Sequence, residues 1–268
     1  MKTALITGAS RGIGESIAKK FASNNINLIL ASKTLLEKGE GSLSTVKQKI
    51  LSENPFASVK IQQLDVRDEN GIKNIIQNNN IDILVNNSGA LHWDKIDNTP
   101  PKKYDLINSV NVRASFLLSH YLILSLLERQ QTGHIIFHSP PLPKTPEHYN
   151  MLRGKTGYMI SKWGMSLTSA GISQEYKKYG IASNTIWPKT AIRTNATLKT
   201  GLGSSKDWRK PEIVADAIYE IINEDPYKFT GNELIDEDYL RTKGVTDFNK
   251  YNVVKNSNPM SLEQLFNK

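Results

Sequence analysis

Tyr158 and Lys162 are spaced i, i+4 within residues 156–178, a stretch that reads as a helix. That spacing sets both side chains on one helix face. A phenol titrates at about pH 10 in water and is a poor acid or base at neutral pH. An ammonium beside it stabilises the phenolate and lowers that value, so the pair could move a proton. Any Tyr-x-x-x-Lys can arise by chance. Its weight here comes from its place after the fifth strand of a nucleotide-binding pattern.

The second chemistry-bearing group opens the chain. Gly8-Ala9-Ser10-Arg11-Gly12-Ile13-Gly14 lies between an apolar run, residues 2–7, and a helical pattern of Ile17, Ala18 and Phe21. Glycines let a backbone approach a pyrophosphate, and the helix N-terminus offers free N–H groups to it. The spacing is G-x-x-x-G-x-G rather than G-x-G-x-x-G. An NAD site usually carries an acid at the end of the second strand to hold the ribose hydroxyls. Here that stretch is Ala31-Ser32-Lys33, with a lysine and no carboxylate, and Arg11 adds a cation inside the turn. Both can neutralise a 2′-phosphate, which favours NADP(H). Asp65, just past the third strand, is positioned to accept from the adenine amino group.

The elements that must hold these groups alternate. Strands are expected at 2–7, 26–31, 59–64, 81–85, 135–137, 181–187 and 234–235, with helices after the glycine turn through Ile17, Ala18 and Phe21, at 41–53, 69–79, 103–129 and 156–178, and behind Pro211. That βαβ spacing argues an α/β fold: a Rossmann-type, doubly wound parallel sheet with helices on both faces, three layers α/β/α. A proline-rich insertion (Pro140, Pro141, Pro143, Pro146) is expected to be irregular. The stretch Phe116–Leu127 is apolar nearly all round and is expected to be buried, with the core or another subunit as what covers it. No internal repeat or linker interrupts the pattern. One domain is expected over 1–238, with a polar tail from Tyr239 to Lys268 packed on it.

Composition narrows the function classes. The chain has 268 residues, 34 Lys and Arg against 26 Asp and Glu, a net charge of +8 and no cysteine. Without cysteine there are no disulfides, thiolate nucleophiles or Cys-ligated metal sites. The basic residues are scattered and no zinc-finger or basic-zipper pattern accompanies them, so no nucleic-acid partner is expected. His134 and His138 share a strand face without a nearby carboxylate, and no metal site is expected. No apolar run reaches the ~18 residues of a membrane span, and the N-terminus does not read as a signal peptide. The expected location is cytoplasmic.

Thr7-Gly8, Asn86-Asn87-Ser88-Gly89, Ser109-Val110-Asn111-Val112 and Tyr158-x-x-x-Lys162 occur in that order. With these four motifs the chain resembles the short-chain dehydrogenase/reductase family over about residues 1–235. Ser139–Leu142, Ser161–Ser166, Trp187–Ile192, Phe229–Asn232 and Ile235–Glu237 look like its hydroxysteroid dehydrogenase-like branch. Animal members of that branch carry a sterol-carrier domain, and a chain of this length is expected to lack one. The resemblance implies that Gly8, Ser10, Arg11, Gly12, Ile13 and Gly14 bind the cofactor phosphates and adenosine ribose. Lys33 would meet the 2′-phosphate and Asp65 the adenine, while Asn87 and Gly89 would pass under the adenosine and steady the sheet. Tyr158 would be the proton donor. Lys162 would lower its pKa and hold the nicotinamide ribose, and Asn111 would kink its helix and anchor a water in a relay to Lys162. Residues 188–194, Pro188 and Ile192 among them, would bind the nicotinamide carboxamide.

Two departures from the family pattern matter. The family places a catalytic serine about a dozen residues before the tyrosine, commonly the second of a Ser-Ser pair. Here the pair is Ser139-Pro140, and Ser139 precedes Tyr158 by 19 residues. Either the insertion repositions Ser139 to polarise the carbonyl or the hydroxyl is missing, which by analogy with an oxyanion hole costs about 2.7–4 kcal/mol of transition-state stabilisation. The usual Pro-Gly after strand six is Pro188-Lys189, whose side chain would narrow the nicotinamide end or contact substrate.

These residues lead to an NADP(H)-dependent oxidoreductase acting on a small-molecule carbonyl or alcohol. The expected pocket walls are His148, Tyr149, Met151, Leu152, Leu198, Leu202 and Trp208, mostly apolar, so the carbonyl is expected to be lipophilic. The second reading is a non-catalytic NADP(H)-binding protein of the same fold. The apolar helices 104–129 and 156–178 would form the shared face of a homodimer or homotetramer, as the resemblance implies.

Overall fold

The computed structural model describes residues 1–34 and 41–266. The chain alternates β1 (Thr3–Thr7), α1 (Gly12–Ala22), β2 (Asn27–Ser32), α2 (Leu43–Glu53), β3 (Val59–Gln63), α3 (Glu69–Gln77) and β4 (Ile83–Asn86). It continues with α4 (Pro101–Asn108), a π turn (Ser109–Arg113), α5 (Ala114–Glu128), β5 (Gly133–His138), α6 (Thr156–Tyr176) and β6 (Ile181–Trp187). The last third holds β7 (Ala191–Ile192), α7 (Asn195–Thr200), β8 (Trp208–Arg209), α8 (Glu212–Ile222), β9 (Glu233–Ile235), α9 (Asp236–Thr242) and α10 (Leu262–Phe266).

Seven strands form one sheet in the order β3-β2-β1-β4-β5-β6-β9. Every neighbouring pair is parallel. The order reverses at β1, and in such sheets ligands bind outside the carboxyl ends of the strands at that switch point. The central strands carry continuous apolar runs because helices cover both faces. On one face β1, β2 and β4 pack with α1, α2 and α8 through Ile6, Ile17, Phe21, Leu30, Val46, Ile213 and Ile218. On the other, Leu5, Leu84 and Phe137 meet α3 and α5 through Ile72, Ile75, Leu118 and Leu122.

Several elements differ from the sequence reading, each for a nonlocal reason. Residues 101–128 form one continuous helix, long and apolar enough by composition to cross a membrane. Here Leu118, Leu122, Ile123 and Leu126 pack into the core, while Phe116 and Leu124 are exposed, at 56% and 50%. The sheet covers only one side of α5, so the burial expected for the whole stretch holds for that side alone. The segment from Tyr239 is not simply polar. Tyr239, Leu240, Phe248 and Tyr251 join the core beneath α8. The proline-rich insertion ends in a 3₁₀ segment, Pro146–Leu152. Finally β7 and β8 pair in a small parallel sheet of two residues each, too short to leave a pattern in the sequence.

Candidate active site

The glycine turn leads from β1 directly into α1. Gly8 and Gly12 take φ of +66° and +58°, a region that disfavours a Cβ. Gly14 is required for packing: a Cβ there would press on the Gly8 carbonyl oxygen and lie 2.9 Å from Ala9 Cα. Arg11 is the extended N-cap of α1 and its side chain does not cap the helix. The first N–H groups of α1 therefore keep no side-chain acceptor at the site where a helix favours an anion. Thr7 and Asn87 fix this loop to β4. The Asn87 amide donates to the carbonyls of Thr7 and Gly8, at 3.0 and 3.2 Å, and the Thr7 hydroxyl receives the Ser88 N–H at 3.0 Å. The 188–194 segment reaches the same loop, where the Thr194 methyl would stand 3.3 Å from a Cβ on Gly12. A glycine cradle, an uncapped helix end and a crossing segment fit a dinucleotide pyrophosphate.

At the edge of β2 and β3 the structure brings Lys33 and Asp65 together at 3.2 Å. It adds a residue the sequence reading missed, Arg67, whose guanidinium grips the Asp65 carboxylate with Nε at 2.9 and 3.2 Å and an NH₂ at 2.6 Å. Arg67 holds the Asp65 carboxyl well below the usual carboxylate range. The only sequence signal for Arg67 was its spacing two residues past Asp65. The Arg11 guanidinium lies near residue 41, against which a Gly41 Cβ would stand 3.2 Å from it. This edge is strongly cationic, with Asp65 tying two of its cations in place.

Tyr158 and Lys162 occupy consecutive turns of α6, as their spacing requires. Among the described residues the Tyr158 hydroxyl makes no hydrogen bond, so the phenol is available to a ligand. Lys162 is 5% exposed, and its ammonium donates to the His138 carbonyl at 2.7 Å and approaches Met165 Sδ at 3.7 Å. Burial pushes this lysine down to about 8 and the Tyr158 phenol above its ordinary value. The lowering of the phenol expected from its neighbour is outweighed, because desolvation penalises both charges and the ammonium is engaged by a carbonyl. The phenol therefore keeps its proton at neutral pH and is the weaker acid for it, so giving that proton away requires the phenolate left behind to be stabilised. His138, also desolvated and close to Lys162, is pushed down to about 3 and is neutral at physiological pH.

Asn111 lies in the π turn between α4 and α5, where the Ala114 N–H reaches back to the Ser109 carbonyl. That turn is the kink expected at this position, and such turns recur at functional sites. The Asn111 side chain is fully buried and fully used. It accepts from Ala90 N at 2.8 Å and donates to Ala90 O at 3.0 Å and to Ser161 Oγ at 2.8 Å. It thereby ties the segment after β4 to α6, beside Gly89, whose Cβ would lie 3.9 Å from the Lys162 ammonium.

Two departures resolve. Ser139 is fully buried, and its hydroxyl takes the Ser166 hydroxyl at 3.0 Å, with no bond to Tyr158. The Ser166 hydroxyl also donates to the Pro140 carbonyl at 2.6 Å, so the chain just after β5 is tied to α6 at this serine. The Lys189 side chain is drawn away to Asp238 at 2.7 Å and Glu237 at 3.6 Å. It does not narrow the nicotinamide end. Its amide donates to Asp236, which is buried and pushed up to about 7 by desolvation. The segment 188–192 is held from behind by α9.

An open cleft of about 560 Å³ is lined by Trp93, Lys155, Leu202, Met260, Leu265 and Phe266 among others; Tyr158 is not part of its lining and is reached through Trp93. The Trp93 ring stands 6.3 Å from the Tyr158 ring, edge to face. Of the seven expected wall residues only Leu202 lines this cleft. Trp208 instead fixes Leu202 through its indole N–H, 2.7 Å from the Leu202 carbonyl. Tyr149 and Leu198 are exposed. The missed walls come from the segment after β4 and from α10, far from the motifs in sequence.

A doubly wound sheet with an uncapped glycine loop at its switch point, and a half-buried tyrosine one turn from a buried lysine, defines a class, the Rossmann-type oxidoreductases. The chain belongs to the short chain dehydrogenase family, whose model matches residues 2–201. It is 40% identical over 259 residues to hydroxysteroid dehydrogenase-like protein 2 of Xenopus tropicalis, covering 94% of this chain and 60% of that protein. The chain thus spans about 60% of the length of that relative. A crystal structure of a short chain dehydrogenase from Mycobacterium thermoresistibile matches with a TM-score of 0.86 and 36% identity, covering 97% of this chain and 93% of that one. A metagenomic short-chain oxidoreductase in complex with NADP shares the fold at a TM-score of 0.70 and 23% identity, covering 87% and 96%.

Proposed function

We propose that this chain is an NADP(H)-dependent reductase of a lipophilic carbonyl, with Tyr158 as the proton donor. The observation that carries the reading is the unengaged, protonated Tyr158 phenol one helical turn from the buried Lys162 ammonium, beside the cleft. The cofactor, when bound, supplies the hydride that reaches the carbonyl carbon. Gly8, Ser10, Arg11, Gly12, Ile13 and Gly14 would hold its phosphates, and Asn87 and Gly89 would lie under its adenosine. Pro188 and Ile192 belong to the segment that would bind its nicotinamide carboxamide. Lys33, with Arg67 and Arg11, takes the 2′-phosphate, which is why NADP(H) is favoured over NAD(H). Tyr158 Oη gives its proton to the carbonyl oxygen, and the Lys162 charge stabilises the phenolate left behind. Asn111 keeps α6 in register with the segment after β4 and anchors the water that returns a proton toward Lys162.

The complex of the metagenomic relative with NADP supports the cofactor assignment. The apolar cleft lining supports a lipophilic substrate, and the exposed Phe116 and Leu124 of α5 with Ile160 and Leu167 of α6 support a homodimer or homotetramer. We place the protein in the cytoplasm. A second reading, an NADP(H)-binding protein without turnover, draws on the inward Ser139 alone. NADPH consumption followed by absorbance over a panel of aliphatic, steroid and acyl carbonyls, with NADH alongside, separates the two. Turnover with NADPH supports the reductase; tight binding without turnover on the whole panel overturns it.

A further inference from the structure

Lys155 is the residue of the cleft whose charge the reaction described above does not use. It is 8% exposed and precedes Tyr158 by three residues, at the N-cap of α6. Among the described residues no carboxylate pairs with it, and its ammonium has one hydrogen bond, to the Arg153 carbonyl at 3.0 Å. The charge otherwise faces aromatic rings, 4.7 Å above the centre of Phe266 and 5.6 Å above that of Trp93. Both rings line the cleft, and Trp93 also touches Tyr158. Among the described residues the Trp93 indole N–H in the same wall is buried without an acceptor. The other charged wall residue, Asp207, is folded back onto the Ser204 N–H and hydroxyl. A buried cation without a counter-ion is costly, and an incoming anion removes that cost.

We propose that Lys155 is the anion anchor of the cleft and that the substrate is a lipophilic carbonyl compound carrying a carboxylate. One ammonium neutralises one charge, which suits a carboxylate better than a dianionic phosphate. The Trp93 indole N–H supplies a second donor, and the Met260, Leu265 and Phe266 side chains take the hydrocarbon. The ring of Trp93 sets the anchor one aromatic group from Tyr158, so the carboxylate and the reacting carbonyl lie near each other on the substrate.

This inference deepens the reductase reading and rests on it for the word substrate, but binding alone tests it. The probes are decanoate and 1-decanol, titrated calorimetrically into the NADPH-saturated protein and into the protein alone. Wild type is expected to prefer decanoate at least tenfold, about 1.4 kcal/mol. Lys155→Met is expected to erase that preference, Lys155→Arg to restore most of it, and Lys178→Met, an exposed lysine, to leave it intact. Equal affinity for the two probes, binding of neither, or a preference that survives Lys155→Met overturns the proposal. Absence of NADPH turnover with an intact decanoate preference would instead sink the reductase reading and leave the anchor standing.

Discussion

Replacing Lys162 by methionine should make the cofactor-free protein more stable while removing its chemistry. Burial pushes the Lys162 ammonium from 10.5 to about 8. Each tenfold change in proton affinity is about 1.4 kcal/mol, so holding this charge in the folded protein costs about 3 kcal/mol. Methionine has a similar length and no charge to desolvate. It loses the bond to the His138 carbonyl, worth about 1 kcal/mol. The net gain is about 2 kcal/mol near pH 7, or about 4 °C in melting temperature for a chain of this size. The pH dependence follows from the sign. The folded-state value lies below the unfolded one, so the cost is fully present below about pH 8. It falls away between pH 8 and 10.5 as the folded lysine loses its proton first. Thermal melts followed by circular dichroism at pH 7 and pH 10 measure the difference between variant and wild type. The variant should melt higher at pH 7 and lose that advantage at pH 10. A variant that melts lower at pH 7, or a difference that does not change with pH, would refute the reasoning.

Further outcomes are expected elsewhere in the site. Gly14→Ala drives a Cβ to 2.9 Å from Ala9 Cα and onto the Gly8 carbonyl, so it should cost about 1–3 kcal/mol and weaken NADPH binding, read by a melt and a fluorescence titration. Lys33→Ala should weaken NADPH at least tenfold, about 1.4 kcal/mol, and leave NADH nearly unchanged; equal losses for both would remove Lys33 from the 2′-phosphate. Asn111→Leu leaves the amide and carbonyl of Ala90 unpaired and should cost about 2–4 kcal/mol in denaturant melts.

The parts of the site that could be read in the sequence are those whose chemistry is local. The glycine turn needs its residues within one loop, and Tyr158 and Lys162 need only helical spacing, so both were visible; the turn forms between β1 and α1 and the pair falls on α6, while burial raises the phenol that its neighbour was expected to lower. The sheet was visible for the same reason, since strands buried on both faces write continuous apolar runs. What stayed hidden depends on distant partners. Nothing near Ser139 tells that its hydroxyl turns to Ser166 on α6. The direction of Lys189 is set by Asp238 and Glu237, some 50 residues on, at 2.7 and 3.6 Å. The tail looked polar because its buried residues come as isolated pairs, Tyr239 with Leu240, Phe248 with Tyr251 and Leu262 with Leu265, each too short to sustain a helical or strand period. The cleft drew its walls from Trp93 and α10, segments that carry no motif, so the sequence pointed to its neighbours Tyr149 and Leu198 instead.

The central claim is that Tyr158 delivers the proton. Its most direct test compares wild type with Tyr158→Phe in steady-state NADPH consumption on whichever carbonyl the panel turns over, with NADPH affinity measured in parallel. Loss of a positioned acid should lower the rate about 10²–10⁴-fold. NADPH affinity should stay within about twofold, a change of at most about 0.4 kcal/mol, because among the described residues the lost hydroxyl makes no bond that holds the fold. A phenylalanine variant that reduces the carbonyl at the wild-type rate would contradict the claim and move the proton donor elsewhere in the cleft.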